Sequence, residues 1–390
     1  MSAFHLSKLI PKLSSQESKR TFVSLLILGF FLRFSLLLSS HNFDFESYKI
    51  TSELILAGDP PWRGQRYNYG ITWSLILGLL NFCSFGNDLV FRFLIVAILS
   101  MADLSITLNL RKWFGSKVAC IFFLNPISIL VTGHYNQFDN LSMAIGLWGL
   151  VFLNKYKETK SINDLIRCVL LFALSLTVKH NLALFLIWFL FSKFNKWEKS
   201  ALIGIPSFIF LVHFVPFMLI SKFDRENIMS AVFKYWSSNN APFWKFWFLD
   251  KDFAESLGNH HAWHHGRLWM ILMILAVSST GAIVSKLSFQ KQFAVYTVSL
   301  IVFASAITSQ FLAIAAIGAS VFFNWGFMIY FITTSLYMAA EFAGLNLTFL
   351  HPFLYHRGWN AWNIGPTLLI LGLLVGTSTG ILRKKLRFRL

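Results

Sequence analysis

Apolar residues along this chain come in long runs broken by short polar turns, the spacing of helices that cross a hydrocarbon core. Such runs cover 21–40, 89–110, 117–133, 138–154, 164–179, 181–194, 200–220, 268–285, 292–309, 310–325, 326–345 and 364–382. A helix needs about 20 residues to cross, and several of these runs are shorter. They predict an all-α polytopic membrane protein with about 12 transmembrane helices. The run 71–82 is too short to cross comfortably and reads as a helix lying at the interface, or re-entrant, in an outer loop.

Composition supports lipid as the solvent. Of 390 residues, 56% are hydrophobic and 13% charged, against about 25% charged in soluble domains. The 43 Phe and 14 Trp suit lipid-facing helices with aromatic belts. A net charge of +17 on a soluble chain would point to nucleic acid. Here the basic residues fall in short clusters between apolar runs, so no nucleic-acid partner is expected and the clusters mark cytoplasmic loops.

Lys8, Lys12, Lys19 and Arg20 form the first cluster; Arg111, Lys112 and Lys117 the second. Lys155, Lys157, Lys160 and Arg167 follow, then Lys193, Lys196 and Lys199, then Lys286 and Lys291, and last the tail from Arg383 to Arg389. Together they hold 21 of the 34 Lys and Arg, which is the bias that orients a polytopic chain. Both termini then face the cytoplasm, with 1–20 a cytoplasmic tail and 21–40 a signal anchor that stays. The segments 41–88, 221–267 and 346–363 face outward. Polar chemistry belongs there, because charges are costly in lipid.

The first outer loop opens with Asp44-Phe45-Glu46 just past a span. A carboxylate at this boundary can act as a general base or orient a sugar; a plain acidic helix start is the bland alternative. Arg63 and Arg66 follow Pro60-Pro61-Trp62 and can hold a phosphate by forked hydrogen bonds, while Trp62, Tyr67 and Tyr69 suit interface anchoring. The turn Gly133-His134-Tyr135-Asn136-Gln137-Phe138-Asp139-Asn140 carries more hydrogen-bonding side chains than a hairpin needs. Lys179-His180-Asn181 is a second tight polar break, suited to a lipid-linked phosphate or to snorkelling. Arg33 and Asp103 lie within spans, where charges face the interior and pair.

His260, His261, His264 and His265 precede Arg267. No Cys or carboxylate completes a familiar zinc set, so a solvated or phosphate-facing segment is the main reading and no metal is expected. Thr308-Ser309-Gln310 interrupts an apolar run, as a cavity-lining bend or as ordinary helix packing. Cys83, Cys120 and Cys168 read as small buried hydrophobes. Asn140-Leu-Ser and Asn346-Leu-Thr match the glycosylation acceptor pattern.

In order along the chain these segments resemble the GT-C glycosyltransferase superfamily, first the dolichyl-phosphate-glucose glucosyltransferases and then the polyprenyl-phosphate mannosyltransferases. Asp44-Phe45-Glu46 resembles the family's Asp-aromatic-Glu motif, and Tyr67-Asn68-Tyr69-Gly70 stands where it has an Asp-Tyr-Pro-Pro type turn. Arg92 with Ala102-Asp103-Leu104 is similar to its Arg…Ala-Asp-Leu. Asn125-Pro126 followed by His134 to Asn140 is similar to its Pro…Gly-His-Phe-Gln-Tyr-Asn segment, and Lys179 falls on its Lys. The likeness covers about the first 240 residues. The chain departs from the family in lacking the late His-Glu-Lys segment, near which Ser309-Gln310-Phe311 stands, and in lacking Pro-Pro after Tyr69.

The resemblance implies a GT-C-like bundle, with 21–220 as the membrane module carrying loop 41–88, 221–267 as a second outer loop and 268–390 as a variable C-terminal module. It implies inverting transfer of a hexose from a polyprenyl- or dolichyl-phosphate sugar to a glycolipid or glycan acceptor, on the luminal or periplasmic face of an endoplasmic-reticulum or bacterial inner membrane. Asp44 is then the base, with Glu46 beside it. Arg66, Lys179, His180, His134, Gln137, Asp139, Gln310 and Arg267 are candidate donor contacts, and no cofactor is expected. A transporter or lipid flippase is the rival class. Against it, no internal repeat appears, and polar clusters sit at span ends rather than midplane. A non-catalytic assembly subunit on the same fold is a third reading.

Overall fold

The structure is a computed structural model. It describes residues 15–39, 41–64, 67–233, 262–304, 307–354, 361–380 and 382, with side chains from 19 onward and not for 262–269. Among these residues every regular element is helical. Each of the twelve apolar runs contains a helix, and four of those helices are long and apolar enough to cross a membrane, or five if one bent pair is a single span.

The first half begins with α1 (Ser15–Ser35), α2 (Phe43–Leu56), α3 (Ile71–Ser84) and α4 (Asp88–Phe114). It continues through α5 (Ser116–Phe123), α6 (Pro126–Gly133), α7 (Asp139–Thr159), α8 (Ile162–Val178), α9 (Ala183–Ile187) and α10 (Lys196–Val212), then α11 (Val215–Met218) and α12 (Lys222–Ile228). The second half is α13 (Ala262–Val284), α14 (Phe289–Val302), α15 (Leu312–Val321), α16 (Trp325–Ala340), α17 (His351–Leu354) and α18 (Ala361–Ser378).

α4 runs for 27 residues, about 40 Å at the α-helical rise and enough to span with tilt. Asn87 caps its start by accepting from the Val90 N–H, and Arg111 and Lys112 complement the dipole in its last turn. The run expected at 117–133 is broken instead: α5 and α6 meet at 48°. Pro126 has no N–H to continue the helix, and the Asn125 side chain takes the Ile127 N–H at 2.8 Å. The freed Phe123 carbonyl is taken by Arg33 Nη1 at 2.9 Å. In a membrane a loose carbonyl of this kind must find a protein donor.

α7 and α8 form an antiparallel pair that α10 joins at the far end. There Glu198 accepts from Lys160 and Tyr156, and Lys155 pairs with Asp164. Lys155 and Lys160, from one of the basic clusters of the sequence, therefore lie with Glu198 of α10 at one end of α7. Asp139 begins the opposite end, 21 residues away, or about 30 Å at the helical rise.

Two apolar clusters hold the chain. The larger joins α1 and α4–α10 to the helices of the second half. The smaller lies under the segment 41–88: Phe45 and Tyr48 of α2, Trp62, Tyr67 and Trp73 meet Phe91 and Ile95 of α4, with Phe138 entering from the polar turn. Trp62 is 1% exposed and Tyr67 2%. That corrects the expectation of interface anchors, because their rings fill a core and their polar atoms bond inward, Trp62 Nε1 to the Tyr69 carbonyl and the Tyr67 hydroxyl to that of Gly70. The loop is thus a packed layer over α4 and α8.

Gly70 makes that seating possible. A Cβ there would sit 2.0 Å from the Thr177 carbonyl oxygen, and the Thr72 and Thr177 hydroxyls hydrogen-bond beside it. Gly70→Ala is expected to cost about 1–3 kcal/mol by forcing backbone apart and to loosen Tyr69 from its place. A thermal unfolding midpoint in detergent matching the wild type would show the contact to be unimportant.

Candidate active site

The site grows from the break between α6 and α7. Residues His134 to Asn140 are each 1% exposed or less, so this is a buried polar turn and not a wetted loop. Asn136 adopts φ +56°, a conformation Asn tolerates better than most residues. Its amide donates to the Thr132 and Gly133 carbonyls and its oxygen accepts from Arg92 Nε at 3.2 Å. Arg92 also donates to the carbonyls of Leu36, Leu37 and Ser39, fixing the chain that leads out of α1 toward Asp44.

With the backbone so pinned, alternate side chains of the turn reach different partners. The Tyr135 hydroxyl donates to the Met338 carbonyl at 2.9 Å. Gln137 Nε2 donates to Asp44 Oδ2 at 2.6 Å, and Asn42 Nδ2 approaches the same oxygen at 3.3 Å. Asp139 forms an ion pair with Lys179 at 2.8 Å and accepts from Asn181 at 2.9 Å. Asn140 donates to Asp103 at 2.6 Å, joining the turn to the buried Arg33–Asp103 pair. The two in-span charges are therefore partners.

Asp44 is half-buried in the first turn of α2, while Gln137, Asp139 and Lys179 behind it are buried. Burial pushes its carboxyl up to about 6; Lys179 opposes the rise and Asp139 adds to it. Tyr48, one helical turn on, has a buried hydroxyl with no partner, as does the Gln137 Oε1. Unsatisfied polar atoms of this kind beside an acid with a raised pKa mark a functional-site candidate. His134 donates to or accepts from the Ser39 hydroxyl at 3.2 Å. Burial, then Arg92, lowers its pKa to about 4, so the ring is neutral at physiological pH.

Lys179 differs from its expected form. Its ammonium is enclosed, with the rings of Tyr69, Phe138 and Phe311 each at 4.8 Å, and it neither snorkels nor stands free toward an outer ligand. It supplies positive potential from behind Asp44 and holds Asp139. His180, next in the chain, is exposed.

The structure thus brings together Asp44, Gln137, Asp139 and Lys179, with His134 in the same turn and bonded to Ser39 on the chain that leads to Asp44, and with Phe311 carrying its neighbour Gln310 to the edge of the group. Glu46 is set apart. Two residues beyond Asp44 on a helix it points elsewhere, half-exposed and 3.5 Å from His41. Arg63 is not available to a phosphate, because Asp224 of α12 takes it by a forked pair at 2.7 and 2.9 Å and Asp59 binds it as well. Asn140 is buried and bonded, which removes it as a glycosylation acceptor. Arg66, His260 and His261 lie outside the described residues, and so do the side chains of His264, His265 and Arg267. Among the described residues no group of His, Cys, Asp and Glu is arranged to hold a metal ion.

One residue was overlooked. Glu341 follows α16 and accepts from Ser309, from the Ala361 N–H and from Tyr135. The signal was present: it is the lone acid in the apolar stretch 310–345, and an acid in such a stretch is functional by default.

No family model and no curated protein matches the chain. Among solved structures it is similar to ArnT from Cupriavidus metallidurans in the apo state, at 12% identity and a TM-score of 0.47, over 95% of this chain and 78% of that one. A likeness so distant assigns no function.

Proposed function

We propose that this chain is an inverting GT-C-type glycosyltransferase that moves a hexose from a polyprenyl-phosphate sugar to a glycolipid or glycan acceptor at the extracytoplasmic membrane surface. The observation that carries the reading is Asp44: a half-buried carboxylate with a pKa near 6, bonded to Gln137 and backed by the Lys179–Asp139 pair. A base poised near neutral pH suits proton abstraction from a hydroxyl.

In the proposed step the acceptor oxygen attacks the anomeric carbon while its proton passes to Asp44. The bond from that carbon to the phosphate oxygen breaks, its electron pair staying with the departing polyprenyl phosphate, so a single displacement inverts the centre. Gln137 Oε1, buried without a partner beside Asp44, is placed to accept from a substrate hydroxyl. Lys179 contributes positive potential to the transition state without leaving Asp139. His180, Gln310, Arg66 and Arg267 are the groups assigned to donor contact, the two arginines on sequence alone. An apolar recess of about 410 Å³ between α4 and α7, lined by Leu141, Ala144, Ile145 and Trp148, follows the helix that Asp139 begins and suits the lipid chain.

The test uses purified full-length protein in lipid with a panel of polyprenyl-phosphate glucose, mannose and related sugars plus glycolipid acceptors. The expected result is acceptor-dependent release of polyprenyl phosphate from one donor. Transport of intact donor across the bilayer without release would favour a flippase instead.

A further inference from the structure

Glu341 lies at the join of four segments that are far apart in sequence. Ser309 Oγ lies 2.8 Å from each of its carboxylate oxygens. The Ala361 N–H, which starts α18, donates to Oε1 at 3.0 Å, and the Tyr135 hydroxyl lies 3.4 Å from Oε2. Glu341 itself caps the C-terminus of α16, where the backbone leaves the helix. Among the described residues no Lys, Arg or His forms an ion pair with it, and its carboxyl oxygens meet neutral partners. An arrangement of that kind is held by geometry rather than by attraction to a counter-ion.

The consequence lies two residues beyond Ser309. The 3₁₀ turn Ser309–Phe311 carries Phe311, one of the three rings against the Lys179 ammonium at 4.8 Å, and half-buried Gln310 stands between them. The turn has few constraints of its own. Outside the helix that follows, its backbone bonds among the described residues include Phe311 to Thr308 and Leu312 to Ser309 and Gln310. The same carboxylate reaches Tyr135, two residues before Gln137 and four before Asp139. Glu341 therefore touches both walls of the candidate site and neither Asp44 nor Lys179.

We infer that Glu341 is a positioning residue: its carboxylate holds the Ser309–Phe311 turn and the Tyr135 end of the polar turn in register, and so sets the place of Gln310 and Phe311 against Lys179 and the affinity for the donor headgroup. The kinetic side of the inference rests on the glycosyl-transfer reading, whereas the positioning itself has a readout that does not. Gln keeps acceptors for Ser309 and Ala361 and so restores the geometry; Ala removes it.

The experiment compares Glu341→Ala, Glu341→Gln and Ser309→Ala in the full-length protein. Amide hydrogen exchange is followed over 307–312, together with kcat and KM for the polyprenyl-phosphate sugar. In Glu341→Ala, exchange there is expected to quicken and donor KM to rise, each about tenfold, the scale of leaving a buried hydrogen-bond partner unsatisfied, while kcat changes by less than about threefold. Glu341→Gln returns both toward wild type, and Ser309→Ala shifts both the same way by less. Ser309→Ala removes one hydroxyl only and carries the comparison if Glu341→Ala does not fold. Unchanged exchange and KM in the Ala variants, or a lost kcat at unchanged KM, overturns the positioning role. Faster exchange in variants of a protein that turns over no donor keeps the positioning and overturns the transfer reading.

Discussion

Asp44→Asn is expected to lower transfer by about 10²–10⁴-fold, the usual contribution of a positioned general base, with little change in donor KM or thermal midpoint. Asn has the shape of Asp and can still accept from Gln137, which meets Asp44 at 2.6 Å, but its amide cannot take the acceptor proton. The wild-type pH profile supplies the second half of the test. Burial raises the Asp44 carboxyl to about 6 against the help of Lys179, and only the ionised form is a base. Activity should therefore climb with pH through about 6 and level off above it, and in Asp44→Asn this rising limb should vanish from whatever rate remains. Full turnover by the purified Asn variant would falsify the assignment. A limb near pH 4 instead would mean that the group is solvated and not the one described.

Arg33→Ala is expected to destabilise the fold by about 3–5 kcal/mol, the cost of leaving a buried charge without its partner. Arg33 and Asp103 are both 0% exposed. The guanidinium meets Asp103 at 2.9 Å, the Phe123 carbonyl at 2.9 Å and Ser128 at 3.0 Å, and lies over the Phe123 ring. Its removal strands the carbonyl freed by the Pro126 break as well as the acid. Ser128, Thr132 and Asn140 also bond Asp103, so the loss should spread into the turn that carries Gln137 and Asp139. Thermal unfolding in detergent reads the effect. The double variant Arg33→Ala with Asp103→Asn should regain part of the loss, because it removes the orphaned charge and keeps an acceptor for Ser128, Thr132 and Asn140. A single-variant loss under about 1 kcal/mol would mean that water reaches the pair.

The spread of that loss has a structural reason. Asp103 has donors from α1, α6 and α7 at once, and the turn between α6 and α7 sends Gln137 outward to Asp44 and Asp139 sideways to Lys179. The buried Arg33–Asp103 pair and the candidate site thus meet in one turn, whose Asn140 bonds the first and whose Gln137 and Asp139 bond the second. Arg33, Asp103, the turn 133–140 and Lys179 were visible in the sequence as polar residues among apolar neighbours, whereas Ser128 and Thr132 were not singled out. Polar groups in that setting are either satisfied by each other or not retained.

What the sequence determined by itself was everything governed by local rules. Helix positions follow from apolar runs and the density of chemistry in residues 133–140 from composition alone, whereas the run 117–133 read as one span and its break at Pro126 came with the structure. Even the Arg33–Asp103 partnership could be read, since a charge in a span needs a mate. What only the tertiary structure decided was who meets whom over long separations: Gln137 with Asp44 across 93 positions, Lys179 with Asp139 across 40 and Glu341 with Tyr135 across 206. The reason is physical. Helix periodicity and hydration act on neighbours in the chain, whereas the direction of a side chain and the enclosure of a charge depend on which helices pack beside it. So Lys179, which by sequence could equally have reached for lipid phosphate, is closed in by three rings from three distant segments, and Glu46 turns away from an acid two residues before it.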